Sequence, residues 1–144
     1  MMLEINTRKF GRIEIEEDKI LTMPEGMLGF EDLKRYVLIQ DKGMEPFRLY
    51  QAVDNPDLAF FVINPLLVLK DYRIDQEKVI KAASWKQDDE IFYLAMVTIP
   101  EQKPEKMTVN LMGPLAINNT VRESYQLILE NSGYALKHPL FENE

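Results

Sequence analysis

The sequence predicts an all-β fold, an antiparallel pseudobarrel or closed sandwich with one or two short helices. Three observations carry this. Turn signals are dense and evenly spread, from Pro24-Glu25-Gly26 through Asp54-Asn55-Pro56-Asp57 to Asn131-Ser132-Gly133. The segments between them are short and rich in aromatic and β-branched residues. Few stretches have the 3.6-residue apolar period of a helix. Many short strands with tight turns and little helix favour a barrel or sandwich.

Taken in chain order, Arg12-Ile13-Glu14-Ile15-Glu16 alternates strictly and reads as a half-buried strand. Phe30–Tyr36 (FEDLKRY) follows Gly29 and predicts a short helix near Glu31–Tyr36. Tyr36–Gln40, Phe47–Ala52 and Ala59–Ile63 read as strands. Asp75 is placed to cap a helix over Gln76–Ala83, with Glu77 in its first turn and Val79, Ile80 and Ala83 on one face. Ile91–Ile99 (IFYLAMVTI) is almost wholly apolar, as in a central strand covered on both faces. Met107–Met112 reads as a less regular strand. Tyr125–Leu129 fits strand or helix, and the flanking Asn turns favour strand. Ile13, Ile15, Phe60, Val62, Leu94, Met96, Val109 and Leu111 form the expected core.

The 144 residues suit one domain, 1–144. No segment approaches the roughly 20 apolar residues of a membrane span. Glu4 comes at once and no apolar run follows it, so neither a secretory signal nor a membrane partner is expected. The absence of cysteine fits a cytoplasmic location. With 24 acidic and 17 basic side chains the net charge is −7, which disfavours direct nucleic-acid binding and welcomes a basic protein partner.

The equipment for chemistry is sparse. No thiol is available, and His138 is the only histidine, so no His/Cys metal set can form. No phosphate-binding glycine loop appears, and no cofactor or metal is expected. Asp88-Asp89-Glu90 lacks calcium-loop spacing and reads as a solvated hairpin tip. Trp85 is either a core residue capping the helix or an exposed partner anchor. The competing enzymatic reading is a carboxylate-dependent hydrolase acting on a small substrate in a barrel mouth, since two convergent carboxyls are invisible in sequence.

An ordered set of motifs spans the chain from about Phe10 to about Pro139. It includes Gly29-Phe30-Glu31, Pro46-Phe47 and Asp54-x-Pro56-x-Leu58-Ala59-Phe60. Asn64-Pro65 and Tyr72 follow, then Thr108-Val109-Asn110-Leu111-x-x-Pro114-Leu115-Ala116-Ile117-Asn118, and Gln126-x-Ile128-Leu129 with Tyr134. This set resembles the FliW family of flagellar assembly factors. Gly29, Pro56, Asn110, Leu111, Pro114 and Asn118 carry the motif. Ser124 stands where the family pattern has glycine, and Met112-Gly113 replaces a commoner pair of small residues.

The resemblance implies a cytoplasmic β-pseudobarrel regulator without catalysis. It implies two partners: the small basic RNA-binding repressor CsrA, sequestered or antagonised allosterically, and flagellin, which competes for the same protein. Candidate partner-binding residues are apolar or acidic positions beside turns: Leu28, Phe30, Glu31, Phe47, Asp54, Asp57, Leu58, Asp71, Asp75 and Glu77.

Overall fold

A computed structural model describes residues 1–100 and 103–141. Its strands are β1 (Met2–Thr7), β2 (Gly11–Glu16), β3 (Leu21–Thr22), β4 (Arg35–Ile39), β5 (Arg48–Ala52), β6 (Ala59–Ile63), β7 (Ile91–Thr98), β8 (Thr108–Val109), β9 (Leu115–Asn118), β10 (Glu123–Gln126) and β11 (His138–Pro139). The α-helix α1 covers Gln76–Ala83, as expected. The Asp75 carboxylate accepts a hydrogen bond from the Lys78 N–H, and Ser84 ends the helix in a left-handed conformation.

The ring β7-β6-β5-β4-β3-β10-β9 closes through the β7–β9 pairing into a seven-stranded barrel. All its pairings are antiparallel except β3 with β10. Closure removes free edges that would otherwise template aggregation. The β1–β2 hairpin forms a separate sheet. Its Ile5 and Ile15 pack with Val37 and Val53 on the outside of the barrel.

Strand alternation sorts the side chains. Tyr36, Tyr50, Ala52, Val62, Leu94, Leu115 and Ile117 fill the interior. Ile91 and Tyr93 face outward beneath α1 with Trp85, so β7 is covered on both faces as its sequence predicts. Trp85 is a core residue: it is buried, and its Nε1–H donates to Glu123 Oε1 at 2.8 Å. Val62, Leu94, Val109 and Leu111 are buried as expected, whereas Ile13, Phe60 and Met96 are only half-buried at the periphery of their clusters.

Three local expectations need correction. Residues 30–36 form no helix. Phe30 N–H bonds back to Met27 O at 2.7 Å and Leu33 N–H to Phe30 O at 3.1 Å, giving successive turns, and β4 begins at Arg35. Burial of Tyr36 and Val37 on opposite faces requires a strand there. The Met107–Met112 strand is only Thr108–Val109. The Asn110 side chain accepts from Met112 N–H (3.1 Å) and Gly113 N–H (2.8 Å), turning the chain before β9. Asp88–Glu90 is a helix-to-strand turn, not a hairpin tip, and the Asp89 carboxylate accepts from Asn118 Nδ2 at 2.8 Å.

Ser124, the departure from the family pattern, has a defined task. It is fully buried, and its hydroxyl shares a 2.6 Å hydrogen bond with Tyr50 OH in the barrel centre. Ser124→Gly would strand that phenol. The expected loss is about 1–3 kcal/mol, the cost of an unsatisfied buried polar group, read from urea unfolding midpoints.

Burial pushes the phenols of Tyr36, Tyr50 and Tyr72 above their ordinary value near 10. A raised folded-state pKa gives stability that is complete below the unfolded value and lost as pH climbs towards the folded one. The barrel should therefore hold to about pH 10 and unfold cooperatively above it. Phenolate absorbance is expected to rise in step with the loss of β circular dichroism. Ionisation of all the tyrosines at pH 10 with the fold intact would contradict this.

Candidate partner-binding surface

The turn between β3 and β4 exposes two large apolar side chains at one end of the barrel. Met23 and Met27 peg it into the core, at 1% and 2% exposure. Gly26, at φ +70°, reverses the chain so closely that a Cβ would lie 2.6 Å from Glu31 Cα. Gly29, at φ +91°, follows, and its N–H donates to the Glu31 carboxylate at 2.6 Å. With both methionines turned inward, Leu28 is left 72% exposed and Phe30 43% exposed. Phe30 meets Phe60 edge-on, ring centroids 6.2 Å apart, and Leu58 packs against the same core cluster.

Leu28 N–H reaches Gln126 Oε1 at 3.4 Å, tying this turn to the end of β10. Beyond Gln126 the chain runs on beside residues 112–114, through Leu127 N–H to Pro114 O and Leu129 N–H to Met112 O, both 2.8 Å. The intervening Ile128 is turned out and 60% exposed. Between this segment and α1 lie two adjoining clefts of about 310 and 530 Å³. Val79, Ala82 and Leu127 floor both of them, and Glu25, Asp75 and Glu130 stand among their lining residues.

The sequence-derived candidates therefore divide. Leu28, Phe30, Glu31 and Leu58 share the β3–β4 end of the barrel. Asp54 and Asp57 lie in the nearby β5–β6 turn, where Ala52 N–H bonds Leu58 O. Asp54 forms a two-pronged pair with Arg35 (2.6 and 3.0 Å), and its hydrogen bond to that guanidinium holds its carboxyl below the usual range. Asp75 caps α1 beside the larger cleft, with Glu77 in the first helical turn and Asp71 exposed ahead of it. Phe47 packs elsewhere, in a cleft with Met44, Phe61 and Met107. Ile128, a motif position, and Glu25 and Glu130 are not among the sequence-derived partner-binding candidates. The strand expected over Tyr125–Leu129 is instead Glu123–Gln126, so Ile128 lies beyond β10.

The motif residues act within the fold. Leu111, Pro114 and Asn118 are fully buried. Leu111 O accepts from Tyr72 OH at 2.7 Å, and Pro56 O accepts from Arg8 N–H at 3.0 Å. Asn118 Oδ1 accepts from Thr120 and Val121 N–H, so its side chain shapes the β9–β10 turn.

Among the described residues no three His, Asp or Glu side chains gather as metal ligands, and no helix is long and apolar enough to cross a membrane.

The profile of the family described as FliW protein matches residues 4–140. The chain belongs to the FliW family. It is 40% identical to the flagellar assembly factor FliW of Natranaerobius thermophilus over 99% of this chain and 95% of that one. It is also 40% identical to the FliW of Geobacter sulfurreducens, over 97% and 87% of the two chains. A crystal structure of a flagellar assembly factor FliW superposes with a TM-score of 0.88 at 31% identity, covering 97% of this chain and 98% of that one. That superposition supports the barrel as a property of the family, and the relatives carry names of a non-enzymatic role.

Proposed function

We propose that this chain is a cytoplasmic flagellar assembly factor that acts by binding two proteins, CsrA and flagellin, and not by catalysis. Membership of the FliW family over nearly the whole length carries the reading. In it, residues 1–144 work as one unit. Flagellin occupies the protein when abundant, CsrA is set free, and translation of flagellin falls.

The surface chemistry suits such partners. A net charge of −7 attracts a basic protein. Clefts whose apolar floor is bordered by both carboxylates (Glu25, Asp75, Glu130) and cations (Arg73, Lys78) suit an amphipathic segment, whose apolar face enters while its charges meet the rim. The turn bearing Leu28 and Phe30 adjoins those clefts through Gln126, so two partners using these surfaces would collide. For CsrA to lose RNA it must be bound more tightly in its RNA-free form, and a coupling of about 1–3 kcal/mol changes RNA affinity roughly 5–150-fold.

The hydrolase reading has less to stand on. It needs a carboxyl pushed above its ordinary range. Asp54 and Asp89 are instead both held below it by hydrogen bonds.

The test is a displacement titration. The protein is preloaded with CsrA, flagellin is added, and CsrA release and its return to flagellin leader RNA are followed. Stoichiometric release is expected. Association with CsrA should slow as salt rises, because the Debye length shrinks from about 10 Å at 0.1 M to about 3 Å at 1 M. A stable ternary complex that retains CsrA would overturn competition.

A further inference from the structure

The other end of the barrel carries more cations than anions. On β5, Arg48 alternates with Tyr50 and Ala52, two fully buried interior residues, and pairs across the sheet with the equally buried Val62. Its side chain therefore starts on the interior face but is only half-buried, at the rim of the barrel, where its stem lies on apolar surface and its head faces the opening. It lies over the Phe92 ring, 6.0 Å from guanidinium carbon to ring centroid. Among the described residues no carboxylate pairs with it and no acceptor takes its N–H groups. A guanidinium held over a ring still presents its N–H groups along its edge, the fork that matches a carboxylate or phosphate.

Arg48 and Phe92 together line two adjoining clefts, of about 670 and 470 Å³. These volumes lie within the usual range for small-molecule sites. Arg73 joins them in the first cleft, and Lys19 and Arg122 in the second. The acidic residues present are Glu90 in the first and Glu16 in the second. Glu90 is already engaged, accepting from Asn119 Nδ2 at 2.7 Å. Arg122 gives one N–H to Asn119 Oδ1 at 2.6 Å. Four cations against two anions is a local surplus of positive charge in a protein whose net charge is −7. A concave site of one sign focuses its field on an incoming ion. Tyr93 and Leu94 supply apolar wall beside Phe92.

We propose that this barrel mouth binds a small molecule that joins an oxyanion, a phosphate or carboxylate, to an apolar ring, with Arg48 taking the oxyanion. Arg48 and Phe92 sit away from Leu28 and Ile128, while Arg73 and Ile74 also border the larger cleft of the partner surface, so the site supplies a small-molecule input that adjoins a protein surface otherwise read as a partner switch.

Phenyl phosphate, benzoate and inorganic phosphate serve as probes, titrated calorimetrically into the native protein at constant ionic strength with chloride as the background anion. Phenyl phosphate or benzoate should saturate one site, and whichever binds more tightly names the oxyanion. Inorganic phosphate, lacking the ring, should bind at least about tenfold more weakly. Arg48→Met should weaken binding by about tenfold or more, the loss of a charge-assisted pair. Arg12→Met, which removes an exposed cation paired with Glu4 on the hairpin, should change nothing. Circular dichroism checks the fold of each variant. If Arg48→Met does not fold, Arg73→Gln, an exposed position in the same cleft, replaces it and should weaken binding severalfold. Heats no greater than those of added chloride, or binding undiminished by loss of the arginine, would overturn the proposal.

Discussion

Leu94→Ala is expected to remove about 2–5 kcal/mol of stability, the range for a large-to-small change in a packed core. Leu94 is 3% exposed and sits where the barrel closes, paired with Leu115 across the β7–β9 seam. Its cluster includes Tyr36, Tyr50, Val62 and Ile117, which come from four other strands of the ring. Truncation leaves a void bounded by strands that cannot approach one another without breaking ladder hydrogen bonds. The upper half of the range is therefore expected. In thermal unfolding this corresponds to a midpoint lower by roughly 7–20 °C. Met96→Ala on the same strand should cost less, because Met96 is only half-buried. Equal losses at the two positions would mean that closure at β7–β9 adds nothing to the core.

The barrel strands that could be read in advance are those whose side chains carry their own pattern. Ile13 and Ile15 alternate with charge, and β7 is apolar on both faces because α1 covers one of them. Helix α1 was legible because Asp75 caps it, Glu77 sits in its first turn and Val79, Ile80 and Ala83 share a face. β3 was not, since two residues make no pattern and one of its two pairing partners, Glu123, is about a hundred residues away in sequence. The helix expected near Glu31–Tyr36 had suitable spacing, but tertiary packing of Tyr36 and Val37 on opposite faces prevails over local preference. The site divides the same way. Leu28 and Phe30 were legible only as apolar positions beside a turn, whereas the inward burial of Met23 and Met27 that leaves them exposed came from the structure. The meeting of Glu25, Ala82 and Ile128 depends on long-range register and could not be read. Arg48 was readable as an interior position by alternation with Tyr50, but its meaning required knowing that Phe92 lies beneath it.

Gly26→Ala should be far more damaging than Gly29→Ala, although both glycines have positive φ. A left-handed conformation costs an alanine about 1–2 kcal/mol at either position. At Gly29 nothing lies within 4 Å of the new methyl, so that is the whole expected loss. At Gly26 the methyl would fall 2.6 Å from both Cα and O of Glu31, backbone atoms that cannot swing aside as a side chain can. Overpacking adds about 1–3 kcal/mol, for a total of about 2–5 kcal/mol. Relief requires the 26–31 turn to open, which pulls on Met27, tucked at 2% exposure into the barrel. Urea midpoints give the stability difference directly. Partner binding gives a second reading, because the same turn presents Leu28 and Phe30. Gly29→Ala should leave affinity for the partner that uses this turn within a few fold, while folded Gly26→Ala protein should lose about tenfold or more, as misplaced central anchors do. If Gly26→Ala lowers stability but binds both partners normally, the turn is a plug for the barrel and the partners dock elsewhere.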